Sequence, residues 1–319
     1  MGGDFAPKAA VEGARRAAYA EDVEVTLVGT ERARGEAGAD PRIRWELATE
    51  VIEMSESPVA GARRKKDSSM AVCARLVQAG KADAWVSAGN SGAITAVSMF
   101  VHGRLAGVMR PAFGAVLPTL SGARSYLIDC GASVDCRAEM LAEFAQMGCV
   151  YSSAILGVPE PRVALLSNGI EPEKGTKETR AAAELLKHSG LRFVGSVEGN
   201  DLFAGKADVI VADGFVANVA MKTAEAMIEL AGQAVRKDIR RNIVSTIGGL
   251  LILPSVRRLR AGFDWRRIGG APVLGVDGVV VVAHGRSDPI AIEHAVLAAA
   301  QAVRVRLIDR LREAFATGR

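Results

Sequence analysis

One local pattern recurs along the chain and constrains its fold more than any other feature. A short apolar run rich in β-branched residues ends in a glycine loop, and a helical stretch often follows. Residues 84–87 run into Ala88-Gly89-Asn90-Ser91-Gly92, residues 126–128 into Asp129-Cys130-Gly131-Ala132-Ser133, and residues 163–166 into Ser167-Asn168-Gly169. Residues 209–211 run into Ala212-Asp213-Gly214, residues 279–282 into Ala283-His284-Gly285, and residues 23–28 into Gly29. The stretches between read as helices: 70–79 with Ser68 and Ser69 as caps, then 134–156, 177–188, 215–237 and 289–315. Strands alternating with helices of this length predict an α/β protein with three α/β/α layers and a mostly parallel sheet. Ligands of such sheets sit at the carboxyl ends of the strands. The glycine loops fall at that edge, where a missing Cβ lets the backbone approach a ligand.

Composition prunes the alternatives. At 319 residues with 49% hydrophobic and 24% charged side chains, the chain is globular rather than disordered. It is long enough to bury roughly 75% of its unfolded surface. Aromatics at 5% are poor for stacking single-stranded bases. A net charge of +4 does not by itself argue for nucleic acid. The four cysteines, Cys73, Cys130, Cys136 and Cys149, lack the spacing of a zinc knuckle or redox pair, which points to free thiols in a reducing cytosol. With four histidines in all, no metal site is expected. The first ten residues hold no apolar signal core, and the apolar run 243–253 is about half of what a membrane span needs. The expectation is a protein that is soluble or lies on a membrane without crossing it.

Residues 236–268 are unusual. Arg236, Lys237, Arg240 and Arg241 precede the apolar run, and Arg257, Arg258, Arg260, Arg266 and Arg267 follow it. Ile239, Ile243, Ile247 and Leu250 keep helical spacing. Gly248-Gly249 and Pro254 are helix breakers, so the segment is expected to form two helical arms around an apolar tip, protruding from a single domain over residues 1–319.

Several chemistries are missing. Gly89-Asn90-Ser91-Gly92 is one residue short of a nucleophile elbow, and residues 199–206 do not form a Walker loop. No dinucleotide fingerprint opens a strand–helix unit. His284 and Asp288 are four apart, not the five of glycerolipid acyltransferases.

What is present favours anions. Gly89, Asn90, Ser91 and Gly92 stand between a strand and a helix, where free backbone N–H groups hold a phosphate or simply form a capped turn. Gly2, Gly3 and Asp4 precede a helix near Pro7 and form a second anion loop or an N-cap. Lys174, beside Glu171 and Glu173, is a point charge for phosphate or part of a solvated loop. Asp213 leads into a helix on which Asn218 and Lys222 lie one turn apart on one face. His284 ends a strand. The basic run Arg63-Arg64-Lys65-Lys66 before Ser68 and Ser69 attracts an acidic protein or phosphate, or is a solvated charge run.

Taken together, these segments resemble the bacterial PlsX family, the acyl carrier protein:phosphate acyltransferases of phospholipid synthesis. The matching stretches are residues 1–7, 64–70 (RKKDSSM), 87–93 (SAGNSGA), 129–132, 171–175, 197–199, 213–222 (DGFVANVAMK) and 270–284 (GAPVLGVDGVVVVAH), in family order over nearly the whole chain. There are departures. Ser133 stands where the family often has Asn, Ile170 and Pro172 interrupt a usually more acidic loop, and Ser91 replaces a common Thr. Family members normally carry a short apolar strand before the Met-Gly-Gly-Asp loop; this chain starts at the loop, and the resemblance leads one to expect either a mis-assigned start codon or a missing sheet strand.

The resemblance implies transfer of a long-chain acyl group from acyl carrier protein to inorganic phosphate, without an organic cofactor. It implies a fold related to phosphotransacetylases and to isocitrate- and isopropylmalate-type dehydrogenases. It also implies a homodimer that is cytoplasmic and peripheral to the inner face of the cell membrane. Phosphate is already an anionic nucleophile, and a thiol with a pKa near ~8.5 leaves without obligatory protonation, so no Ser–His pair is required. Expected roles follow: phosphate or substrate binding by Gly2, Gly3, Asp4, Ser68, Ser69, Gly89, Asn90, Ser91, Gly92 and Lys222, and catalysis by Lys174, Asn218, His284 and Asp213. Ile243, Ile247, Leu250, Leu251 and Leu253 are expected to touch an anionic membrane. Acyl carrier protein is acidic, and basic surfaces would steer it. The competing readings are a phosphotransacetylase acting on acyl-coenzyme A, a dehydrogenase of the related fold, and an inactive membrane adaptor that binds carrier protein.

Overall fold

The computed structural model describes residues 2–262 and 264–316, and the side chains of all of these except 250, 257–262 and 265. Its strands are β1 (Val25–Gly29), β2 (Ile43–Leu47), β3 (Ala84–Ser87), β4 (Ala112–Pro118), β5 (Arg124–Ile128), β6 (Val163–Leu166), β7 (Phe193–Val197), β8 (Val209–Val211), β9 (Ala271–Leu274) and β10 (Val279–Val282). Its helices are α1 (Lys8–Ala20), α2 (Glu31–Ala37), α3 (Pro58–Arg64), α4 (Ser69–Gln78), α5 (Ser91–Val101), α6 (Ala138–Tyr151), α7 (Lys177–Lys187), α8 (Gly214–Ile239), α9 (Ile243–Gly262), α10 (Pro289–Arg304) and α11 (Leu307–Ala316).

Eight strands form one sheet in the order β3-β10-β9-β4-β5-β8-β6-β7, while β1 and β2 pair separately. Both flanks of the large sheet are parallel: β3 with β10, and β5, β8, β6 and β7 in turn. The three antiparallel contacts lie together in the middle, at β10–β9, β9–β4 and β4–β5. Two of these join strands separated by only a few residues, too few for a crossover helix, so the chain turns straight back.

Alternation along the strands assigns the layers. Tyr126, Ile128, Val163, Leu165, Val209 and Val211 pack with Phe144 and Met147 of α6. Their neighbours Leu127, Ala164, Leu166 and Ile210 point the other way and pack with Ala217 of α8. In the other flank Val280 and Val282 meet Ile94 and Val97 of α5, whereas Val281 and Ala283 meet Ile292 and Ala295 of α10. Side chains of period two on each strand therefore require a helix layer on both faces.

Three sequence expectations shift. The helix expected over 134–156 starts at Ala138 and ends in a π turn at Ser152–Leu156, leaving 129–137 as a loop. The helix over 289–315 divides at Val305–Arg306, where Arg306 takes a φ of 54°. The break expected at Gly248-Gly249 and Pro254 lies instead at Arg240–Asn242, where Asn242 Oδ1 caps the next helix by accepting the Ser245 N–H at 2.8 Å. α9 then runs through both glycines and Pro254. A Cβ at Gly249 would strike the Ile239 side chain, so this glycine serves the close packing of α8 on α9 rather than ending a helix.

Candidate functional site

The site is organised by the first turns of α8. Asp213 starts the helix, its Oδ1 accepting the N–H groups of Phe215 at 3.0 Å and Val216 at 2.9 Å. Five residues after Asp213, Asn218 lies against the loop after β5, its Cγ 3.8 Å from where a Cβ on Gly131 would stand. One turn beyond, Lys222 Nζ is 3.0 Å from His284 Nε2, in the loop after β10. One face of one helix therefore joins loops that follow two separate strands. Glu225, a further turn along, pairs with Lys222 at 2.9 Å and Arg286 at 3.6 Å.

Around His284, three loops interlock. The Asp4 N–H donates to Gly285 O at 2.8 Å. Gly2 and Gly3 take φ of 115° and 89°, and a Cβ on Gly2 would stand 2.9 Å from Gly89 Cα. Only glycine permits both this backbone and this approach. Asn90 spends its side chain on structure: Oδ1 accepts Ala93 N–H at 3.1 Å, and Nδ2 donates to Met54 O at 3.0 Å and Glu56 O at 3.3 Å. The N–H groups of Ser91 and Gly92, in the first turn of α5, have no protein acceptor among the described residues.

Electrostatics sharpen the picture. Burial, and then the positive charge of Lys222, hold His284 below the usual imidazole range. The Arg286 N–H donates to His284 Nδ1 at 3.1 Å. That hydrogen bond assigns the neutral ring's proton to Nε2, which faces Lys222. Asp129, fully buried at the end of β5, is pushed up to about 6 by burial, against the N–H groups of its own loop. It accepts from Ala132 at 3.1 Å, Ser133 at 2.7 Å and Phe113 at 3.2 Å, and so shapes the loop on which Asn218 rests.

The other expected residues make contacts of their own. Lys174 is exposed and packs on its own loop, against Gly169, with no ion pair among the described residues. Ser68 is fully buried and accepts the Ala71 N–H at 3.4 Å as the cap of α4, and Ser69 is buried beside it. Ile243, Ile247 and Leu251 are exposed, Leu253 is half-buried, and the Leu250 side chain lies outside the described residues. Sequence reasoning passed over Asp129, Glu225 and Arg286 as site groups. Asp129 stood in a matching motif, but nothing in its spacing marked it as buried.

These features define an α/β protein in which glycine loops and a helix start meet at the sheet edge, a candidate anion site. A family profile described as "Fatty acid synthesis protein" matches residues 1–310. A phosphate acyltransferase of Anaeromyxobacter sp. (strain Fw109-5) is 48% identical, covering 99% of this chain and 89% of its own. One of Desulforudis audaxviator (strain MP104C) is 45% identical, covering 98% and 93%. The chain belongs to the PlsX family of fatty acid synthesis proteins. In fold it is similar to a phosphotransacetylase from Streptococcus pyogenes, with a TM-score of 0.64, 17% identity, and 94% and 92% of the two chains covered.

Proposed function

We propose that the protein transfers a long-chain fatty acyl group from acyl carrier protein to inorganic phosphate. Family membership makes it an acyltransferase with phosphate as acceptor, serving phospholipid synthesis. The carrier-protein donor is the finer part of the proposal. A phosphate oxygen attacks the thioester carbonyl, the new C–O bond forms, the C–S bond breaks, and the thiol leaves as thiolate. The enzyme's work is then to hold phosphate beside the thioester and to stabilise the carbonyl oxyanion.

The observation that carries this reading is the meeting of Lys222 with His284. With Nδ1 occupied by the Arg286 N–H, Nε2–H and the Lys222 ammonium face each other as two donors. A phosphate oxygen placed between them accepts from both, with N–H groups of Ser91 and Gly92 as further donors. Asn218 supplies the oxyanion donor, and Asp213 positions both α8 residues by fixing the helix start. Gly2, Gly3, Asp4, Gly89 and Asn90 shape the surrounding loops. Lys174 stands outside this set.

Further parts of the proposal concern the whole chain. Residues 1–319 act as one acyltransferase domain, with 236–268 as a tip that rests on an anionic membrane where the acyl phosphate is passed on. Exposed Ile243, Ile247 and Leu251 support that contact. Among the described residues, no helix is long and apolar enough to cross a membrane. The chain works as a homodimer on the cytoplasmic face, and its fold is kin to isocitrate- and isopropylmalate-type dehydrogenases; alternating strands and helices around a mixed sheet support that kinship.

The test mixes purified protein with palmitoyl–acyl carrier protein and phosphate and traps acyl phosphate as its hydroxamate. Phosphate-dependent hydroxamate is expected. Equal rates from palmitoyl-coenzyme A, or no product, would overturn the donor assignment.

A further inference from the structure

The outer face of α3 and α5 joins exposed apolar residues to unpaired cations at the rim of the anion site. Met54, Val59 and Phe100 are 47, 48 and 50% exposed. The Arg63 guanidinium lies over the Phe100 ring, 5.6 Å from its centre, and Arg64 and Lys66 are exposed nearby. None of these three cations has an ion pair among the described residues. The segment's other charges are engaged: Lys65 pairs with Glu56, and Arg75 with Asp67 at 3.1 Å. Glu53 is the single unpaired carboxylate between residues 53 and 66.

This face leads directly to the loop of Asn90. Pro58, the first residue of α3, has its Cγ 2.8 Å from where a Cβ on Gly92 would stand. The Asn90 amide is tied to the carbonyls of Met54 and Glu56. Whatever docks over Val59 and Phe100 therefore stands beside the N–H groups of Ser91 and Gly92.

We propose that the α3–α5 face, with Val59 and Phe100 at its centre and Arg63, Arg64 and Lys66 on its rim, docks the acidic acyl carrier protein. The inference rests on the carrier-protein donor proposed above. Charge complementarity selects this occupant: an acidic partner meets three cations opposed by one carboxylate, around an apolar centre of the kind that buried interfaces use. Docking there delivers the thioester end of the carrier's arm to the phosphate while the folded carrier stays outside.

Fluorescently labelled holo-acyl carrier protein is titrated with the wild type, Arg63→Glu/Lys66→Glu and Phe100→Ala. The charge reversal is expected to weaken binding by roughly tenfold or more, and added salt to weaken the wild type more than the variant. Phe100→Ala weakens binding with less change in salt dependence. The KM for phosphate, the melting temperature, the retention volume in gel filtration and the sedimentation with anionic vesicles stay at wild-type values. Carrier affinity within about twofold of wild type in both variants overturns the proposal. So does a loss confined to vesicle binding, which marks a lipid surface, or to oligomeric state, which marks a subunit interface. A fall in melting temperature together with a rise in phosphate KM marks a structural role and also overturns it. A wild type that does not bind carrier at all overturns the donor reading together with this surface; normal wild-type turnover with unaffected variants overturns the surface alone.

Discussion

The first turns of α8 and its outer turns belong to one helix but meet different surroundings. From Asp213 to Lys222 the polar side chains are spoken for by a cap, the loop after β5 and the loop after β10. Beyond Glu225, the apolar residues Met227, Ile228, Leu230 and Val235 are exposed, and α9 continues the pattern with Ile243, Val244, Ile247 and Leu251. The polar groups of the inner turns have partners within the chain, although Phe215, Val216 and Val219 there are exposed as well; the outer turns display apolar surface of the kind that marks an interaction site. Helical spacing alone says that a face wants a partner. Topology decides whether that partner is a loop of the same chain.

The comparison breaks most sharply at Lys222. Lys222→Ala is expected to lower phosphate-dependent turnover by about 10²–10³, as the loss of one positioned donor does, while binding to anionic vesicles is unchanged. Turnover retained in that variant would detach the inner turns from catalysis.

Next in size is Asp129, which shapes the loop under Asn218. Asp129→Asn replaces a carboxylate oxygen with a donor facing backbone N–H groups, and is expected to destabilise the fold by about 1–3 kcal/mol in urea melts. The pH dependence has a definite sign. The native carboxyl titrates at about 6, above an unfolded value near ~3.9, so the native state binds the extra proton between them. Wild-type stability therefore falls as pH rises from about 4 to about 6, by roughly 3 kcal/mol in total, and Asp129→Asn lacks that slope.

In the outer turns the expected effects invert. Leu251→Glu abolishes vesicle binding and leaves stability within about 0.5 kcal/mol, since Leu251 is 77% exposed. Vesicle binding retained there would move the membrane contact elsewhere. The smallest effect contrasts two adjacent glycines. Gly248→Ala, with nothing near its Cβ position, is expected to raise thermal stability by up to about 1 kcal/mol. Gly249→Ala drives a methyl into Ile239 and lowers it. Equal effects would mean that α8 and α9 do not pack as described.

Much of this was legible in the residues, and the gaps have physical causes. The valine-rich strands β8 and β10 and the spacing of Asn218 and Lys222 declared themselves. β4 and β9 did not, because Gly114, Pro118 and Pro272 disguise strands that turn back in hairpins. Ser68 read equally as a cap and as a ligand group, and burial makes it the cap. Lys174 drew attention by charge in a loop, and local charge by itself does not say whether that loop takes part in the site. Asp129 was hidden for the opposite reason: a carboxylate in a glycine loop reads as exposed, and only the fold shows it enclosed by its own loop.

The most direct test of the account is phosphate saturation kinetics with one acyl donor for the wild type, Lys222→Ala and Lys174→Ala. Lys222→Ala is expected to lose about 10²–10³ in kcat/KM for phosphate, whereas Lys174→Ala stays within about threefold of the wild type. The reverse order, with Lys174 essential and Lys222 dispensable, would contradict it.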